Sequence, residues 1–585
     1  MAHVLNGKAL IAGQAAGALL HADVGLSFMG GVDPATGVVI DTHHPLQGQS
    51  VAGKVLAIPS GRGSCSGSLV MFELLMNGHA PAALVFCHRE TILTLGVLIG
   101  LELFQRGIPV LLLEKADFDA LAGMPFARID GDRIAAAPAG SLASAAYLPD
   151  LDPSGFNLTP RDLALLDAAE GEASRLAMRL ILHVARIEGA RELIDVEMAH
   201  MDGVFYHGPA GLRFARRLVE LGGRVRIPST MNAICIDRKT WRAQGVPEAL
   251  GLASEDLAEA YVAMGVKPTY TCAPYLLDPA PKPGQRIAWG ESNAVVFANS
   301  VLGARTLKYP DYLDILVALT GRAPALDCYL DEHRKPTLRL DLPPLAGVDD
   351  AFYPLLGYLV GKLSPNNIPV ICGMEHLPAS HDDLKAFGAA FATTSAAAMF
   401  HIRGITPGAM DPDLTGLPRH AISHADLAET WAELNSATSP DVDLVSLGNP
   451  HFSLTEIAAL AQLCDGRLKH PEVALIIACG REVFSQAKDA GLVERIHAFG
   501  GRFLNDTCWC LIGEPIVSGS IRNIATNSGK YAHYGPSLVG KAFHFASLST
   551  CVEAACAGHM TNGLPAWCQQ TGFPSADTIH GHDDR

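Results

Sequence analysis

Positive charge is scarce in this chain. Forty-four Lys and Arg face 60 Asp and Glu, a net charge of −16. An acidic surface gains nothing by approaching nucleic acid or an anionic membrane, and both are excluded as expected partners. A long apolar run is missing too. The most apolar window, residues 91–104, is broken by Glu102 and is too short to cross a bilayer. The opening residues, MAHVLNGKALIAGQ, lack the basic region and apolar core of a secretory signal. The 13 cysteines, an odd number, lack the dense regular spacing of a disulfide scaffold. A reducing cytoplasm is therefore the expectation, with the cysteines as free thiols or metal ligands. The histidines form no HExxH or comparable metal pattern, and no internal repeat is evident.

What is there describes a packed globular protein: 49% hydrophobic and 18% charged residues over 585 positions, enough for about three or four domain-sized units. Residues 1–135 read as a small β-rich unit ending in alternating strand and helix. VAGKVLAIP is strand-like, and residues 67–77 then carry Leu69, Phe72, Leu75 and Met76 at helical spacing. AALVFC, TILTLGVLIGLELFQ and IPVLLLEK continue as strand, helix and strand, a βαβα order that predicts a partly parallel sheet. Residues 136–155, rich in Ala, Pro, Gly and Ser, read as a linker. Helical signal resumes at Thr159 as N-cap with Pro160 behind it and runs to Gly189. From 156 to 585 helices alternate with short apolar runs, so the expected class is α/β with several lobes.

Several polar stretches could carry chemistry. PSGRGSCSGS leaves a strand and enters a helix, so its amides and hydroxyls face a helix N-terminus beside Arg62. Its spacing is neither GxGxxG nor a Walker loop. It reads either as an anion site, with a serine activated as base, or as a flexible turn with a helix cap. TYTCAPY sets Cys272 outside a periodic segment, and AWGESNAVVFANSVLGAR adds Glu291, Ser292, Asn293, Asn299 and Arg305. GNPHFSL follows a short strand, where α/β proteins commonly build sites, and Ser453-x-x-Glu456 also spells a helix start. His200, Asp202 and His207 in AHMDGVFYHG are read as turn residues. In NDTCWC, Cys508 and Cys510 stand one residue apart, as a soft-metal pair or as small buried hydrophobes. A substrate carboxylate held by Arg62, Lys530 or a helix N-terminus makes the neighbouring proton more acidic.

Taken together, PSGRGS, AHMDGV, STMN, TYTCAPY, AWGESNAVVFANSVLGAR, GNPHFSL, NDTC and TNSGKYAHY resemble the aconitase X family in its fused, single-chain form. The resemblance covers nearly the whole chain. It implies an aconitase-like multi-lobe α/β catalytic region with a smaller N-terminal swivel domain closing over the site, and no separate small subunit. It also implies an iron–sulfur hydro-lyase, the single-chain branch being associated with a 2Fe–2S centre. Family cluster thiolates fall on Cys272 and Cys508. The third falls where this sequence has Asn449, and Cys510 is the replacement expected. Ser64, at the swivel serine, is the expected base, or its neighbour Ser66, with Arg62 and Lys530 as catalytic partners. Ser66, Gly203, Asn232 and Ser528 are the expected substrate-binding positions. The fused form implies cis-3-hydroxy-L-proline as the small hydroxy-acid substrate, giving Δ1-pyrroline-2-carboxylate. Mevalonate 5-phosphate dehydration is the alternative within the family, and a non-catalytic iron–sulfur sensing protein the alternative outside catalysis.

Overall fold

The computed structural model describes residues 4–140, 142–148, 151–508, 513–560 and 563–569. The first part is built on an eight-stranded mixed sheet. Its long strand, Lys8–His21, joins two halves, pairing antiparallel with Phe126–Asp130 and parallel with Val55–Ala57. Val55–Ala57, Ala83–Phe86 and Val110–Leu112 run parallel, as expected of the βαβα order. Helices Gly67–Asn77 and Ile92–Phe104 make the crossovers. Val55–Ala57 and Ala83–Phe86 are buried throughout, so they read as unbroken apolar runs rather than alternating ones. Inside the stretch read as a linker, Leu142–Tyr147 adds to this sheet beside Lys8–His21. Its residues alternate only between exposed and half-buried, so an Ala- and Ser-rich sequence serves and leaves no strand signal.

Three further α/β units follow. The first has a parallel sheet in the order Ser229–Met231, Met198–Met201, Ile287–Trp289. The helical stretch expected from Thr159 to Gly189 is two helices. Thr159 makes a full capping box on Pro160–Leu166, and Glu172–Glu188 ends at Gly189. Ala168 and Gly171, at φ 59° and 98°, turn the chain left-handed between them and interrupt the helix. The second unit carries a four-stranded parallel sheet, and its helices Phe352–Leu363 and His381–Thr394 pack closely. A Cβ on Gly357 would lie 2.2 Å from the Phe387 carbonyl oxygen, so only glycine permits that approach. The third unit is a five-stranded parallel sheet in the order Arg502–Leu504, Ala474–Ala478, Leu444–Leu447, Asn523–Thr526, Ala542–Phe545.

One apolar core runs from the first sheet into the unit behind it, with Phe72, Leu180 and Tyr312 in a single cluster, and the second and third units each have their own. Among the described residues no helix is long and apolar enough to cross a membrane. Parallel strands collect functional loops at their carboxyl ends. Here Asp202, Asn232 and Glu291 follow three strands of one sheet, while His451, Cys508 and Lys530 follow three strands of another.

Candidate active site

Strand Val55–Ala57 delivers the chain into the serine loop, and helix Gly67–Asn77 begins directly after it. Gly63 sits at φ 77°, and a Cβ there would lie 2.6 Å from the Tyr534 hydroxyl. Only glycine lets helix Gly529–Val539 close on this loop. Ser64 Oγ accepts the Ser66 N–H at 3.2 Å and donates to Ser66 Oγ at 3.2 Å. Ser66 holds the N-cap position, yet its side chain makes no capping bond. The hydroxyls are thus not occupied as a helix cap. They lie over the positive end of the helix and face a cleft, where partial charge of that sign stabilises a developing alkoxide.

Across the cleft stands Glu291, the N-cap of the short helix Ser292–Phe297. Lys530 Nζ donates to its Oε1 at 2.9 Å, Asn293 Nδ2 to the same oxygen at 2.7 Å, and Asn232 Nδ2 to Oε2 at 3.1 Å. Burial pushes the Glu291 carboxyl up, but the Lys530 ammonium and the Asn293 bonds outweigh it and hold the group at about 2. Asn232 also donates to Asp202. Among the described residues no cation pairs with that carboxyl, and burial together with the Glu291 charge lifts it to about 8.

The two cysteine loops meet behind the cleft. Cys272 is buried, and Cys508 packs against Ala233 and lines the cleft. His451 ties the loops together. Its backbone N–H donates to Cys272 Sγ at 3.3 Å, its Nδ1 lies 3.1 Å from Thr271 Oγ1, and its Nε2 lies 2.8 Å from the Thr507 carbonyl. Burial lowers this imidazole to about 4, so the neutral ring donates from Nε2 and accepts at Nδ1. His200 does the same one strand away, between Thr230 Oγ1 at 2.7 Å and the Thr271 carbonyl at 3.0 Å. Asn293 Nδ2 reaches the Cys272 carbonyl at 3.0 Å and so couples the thiol loop to the Glu291–Lys530 pair.

Of the expected site residues, Ser64, Ser66, Asn232, Lys530 and Cys508 line this one cleft, together with Glu291, Phe205 and Tyr534. Others stand apart. Arg62 donates to Asp41 at 2.9 Å and lines a neighbouring cavity with His43, Tyr358 and His533. Ser528 caps helix Gly529–Val539 by accepting the Tyr531 N–H at 3.1 Å, and faces a small cavity shared with Asn449 and Glu456. Gly203 packs against Asp311 and Tyr312, its carbonyl receiving the Tyr261 hydroxyl at 3.3 Å. Cys510 lies outside the described residues, and among those described no three His, Cys, Asp or Glu side chains are grouped to hold a metal ion. Glu291 and Asn293 stood out in the sequence only as members of a polar run. The missing signal was their position two and four residues beyond the end of a buried parallel strand at Trp289. Ser453 and Glu456 do form the capping box that their spacing spells.

Nearly the whole chain can be matched to known proteins. It is 49% identical over 580 residues to the cis-3-hydroxy-L-proline dehydratase of Hypocrea jecorina, covering 96% of this chain and 97% of that one. It is 50% identical over 581 residues to the protein of the same name from Pseudomonas aeruginosa, covering 97% and 99%. The chain belongs to the aconitase X family. Aconitase X family models match the swivel domain at residues 4–136, the first domain at 155–332, the second at 336–432 and the third at 442–557. The crystal structure of Thermococcus kodakaraensis aconitase X in its holo-form superposes with a TM-score of 0.63 at 32% identity, covering 68% of this chain and all of that one. The aconitase X fold is thus present here with its swivel and its three further domains in one polypeptide.

Proposed function

We propose that this aconitase X dehydratase removes water from cis-3-hydroxy-L-proline, giving Δ1-pyrroline-2-carboxylate once the first-formed enamine tautomerises. The reading is carried by the cleft in which the Ser64 hydroxyl, set over a helix N-terminus, faces Lys530 and Asn232. The two relatives of that name match it over nearly their full length. Ser64 Oγ takes the C2 proton. Lys530 and Asn232 orient the substrate carboxylate, which makes that proton more acidic. The Ser66 N–H and the helix end stabilise charge on Ser64 Oγ as it forms. Arg62, held by Asp41, braces the loop that presents Ser64.

The donor set behind the cleft suits an iron–sulfur group: two thiols on loops joined through His451. We assign Cys272, Cys508 and Cys510 as ligands of a 2Fe–2S centre. When bound, such a centre supplies a Lewis acid for the leaving hydroxyl. Among the described residues that line the cleft Lys530 is the one cation, and it is already paired with Glu291. That is little positive charge for a phosphorylated substrate, and it favours a small amino acid over mevalonate 5-phosphate. A cytoplasmic enzyme acting without nucleic acid, membrane or second subunit completes the reading.

The test is an anaerobic assay with cis-3-hydroxy-L-proline that follows the imine product. Wild type turns over, and Ser64→Ala loses at least about 100-fold, the usual scale for removing an acid–base group. Cluster-loaded wild type that leaves the substrate untouched would sink the proline assignment, and mevalonate 5-phosphate and RNA binding are then measured on the same preparation.

A further inference from the structure

A serine that takes a proton must pass on its own, and the hydrogen bonds behind Ser64 run in one direction. Ser64 Oγ donates to Ser66 Oγ at 3.2 Å. Ser66 is buried, and its hydroxyl lies beside the Asp311 carboxyl, which in turn lies beside that of Asp202. The Asp311 backbone is fastened to the same loop: its N–H donates to the Cys65 carbonyl at 3.2 Å, and Ser68 Oγ donates to the Asp311 carbonyl at 3.1 Å. Asp311 is fully buried, and among the described residues the Ser66 hydroxyl is set beside its carboxyl without a closed hydrogen bond to either oxygen. A buried carboxylate without closed hydrogen bonds is costly, and a second carboxyl beside it makes a shared proton the way to relieve that cost.

We propose that Asp311 and Asp202 form a proton-holding pair that drains the swivel serine through Ser66. The inference rests on the reading of Ser64 as base. As the C2–H bond breaks, its proton goes to Ser64 Oγ, the Ser64 proton moves to Ser66 Oγ, and the Ser66 proton moves to the carboxyl pair. The electron pair left at C2 forms the C2=C3 bond and expels hydroxide from C3. The pair then returns its proton along the same path to that hydroxide, and water leaves. Asp311 and Asp202 act through Ser66 and are positioning residues, not catalytic ones.

The surroundings give the pair a distinct pH signature. Glu291 and Asp314 face it as like charges, and Lys530 pairs with Glu291, while Cys65, Tyr261 and Tyr312 are raised far by burial and stay neutral. The relay needs an empty place on the pair. Turnover should therefore rise with pH through the pair's lower step, the loss of the first proton, which burial and the Glu291 charge bring to about 8 at Asp202.

The experiment measures kcat and KM across pH for the cluster-loaded wild type, Asp311→Asn, Ser66→Ala and Ser66→Thr, with Ser64→Ala alongside. Expected are a kcat loss of at least about 100-fold in Asp311→Asn with little change in KM, because an amide cannot take the Ser66 proton, and an acid limb that flattens because the residual turnover no longer passes a proton to the pair. Ser66 makes no capping bond, so Ser66→Ala keeps the helix end and tests the relay even if Asp311→Asn fails to fold. It should fall by a similar factor, and Ser66→Thr, which keeps a hydroxyl, should recover about tenfold over it. An unchanged acid limb in Asp311→Asn, or full activity in Ser66→Ala, overturns the relay and leaves the base assignment standing. Full activity in Ser64→Ala overturns the base assignment itself.

Discussion

At the scale of single residues, the site is a problem in buried charge. Glu291 and Lys530 are each about one-tenth exposed at the side chain, at 9% and 10%, and 2.9 Å apart. Two charges taken from water hold each other only while both are present, and removing one leaves the other stranded, typically at a cost of about 3–5 kcal/mol. Lys530→Met should therefore abolish turnover and also lower the unfolding free energy by an amount on that scale. Asn232 and Asn293 still donate to Glu291, which puts the expected loss near the lower end. Adding Glu291→Gln removes the stranded charge and should restore part of the stability while leaving the activity lost. Denaturant unfolding of the two variants separates the effects. Equal stability of Lys530→Met and wild type would mean that the pair does not balance as its geometry implies.

At the scale of elements, the site depends on how closely helix Gly529–Val539 lies on the serine loop. Gly63→Ala would place a methyl 2.6 Å from the Tyr534 hydroxyl and 3.2 Å from Ser27 Oγ, at φ 77°. Left-handed strain alone costs about 1–3 kcal/mol for a residue with a side chain. The loop has to shift, and Ser64 shifts with it. Turnover should drop at least about tenfold, since small misplacements cost catalysis steeply. Adding Tyr534→Phe, which removes the contacting oxygen, should recover part of it in the same assay. This contact also marks what could be read from the sequence. The strand, loop and helix around PSGRGS follow from apolar spacing and turn residues close together in the chain, and the loop's helix-facing hydroxyls are where that reading puts them. The approach of Tyr534 joins positions far apart and leaves no local pattern. The same holds for Glu291 against Lys530 and for Asp311 against Ser66. Arg62 shows the opposite case: its local pattern pointed toward the substrate, whereas the fold turns it to Asp41.

At the scale of the whole molecule, buried titratable groups set how stability should vary with pH. His183, His200 and His207 are lowered to about 4, each chiefly by burial. Between that value and the ordinary histidine value of about 6.5 the unfolded chain binds protons that the native protein refuses, so their contribution grows as pH rises through this window. Asp202 is raised to about 8, and Asp314, Glu90 and Glu456 to about 7, again chiefly by burial. Here the native protein keeps protons that the unfolded chain has lost, and the contribution declines from about pH 4 upward. The two groups oppose each other in acid. Above about pH 6.5 the histidines become mostly neutral in both states, and the carboxyls outweigh Lys308, which burial lowers to about 8 and which works against them. The thermal midpoint of the cluster-loaded protein should therefore fall between about pH 6.5 and 8, and Asp202→Asn should flatten that fall by removing a group that titrates within it. Differential scanning calorimetry at a few pH values in this interval is sufficient. A midpoint that stays level, or rises, would mean that these carboxyls are already ionised in the native protein, and the proton-holding pair behind Ser66 would lose its physical basis with them.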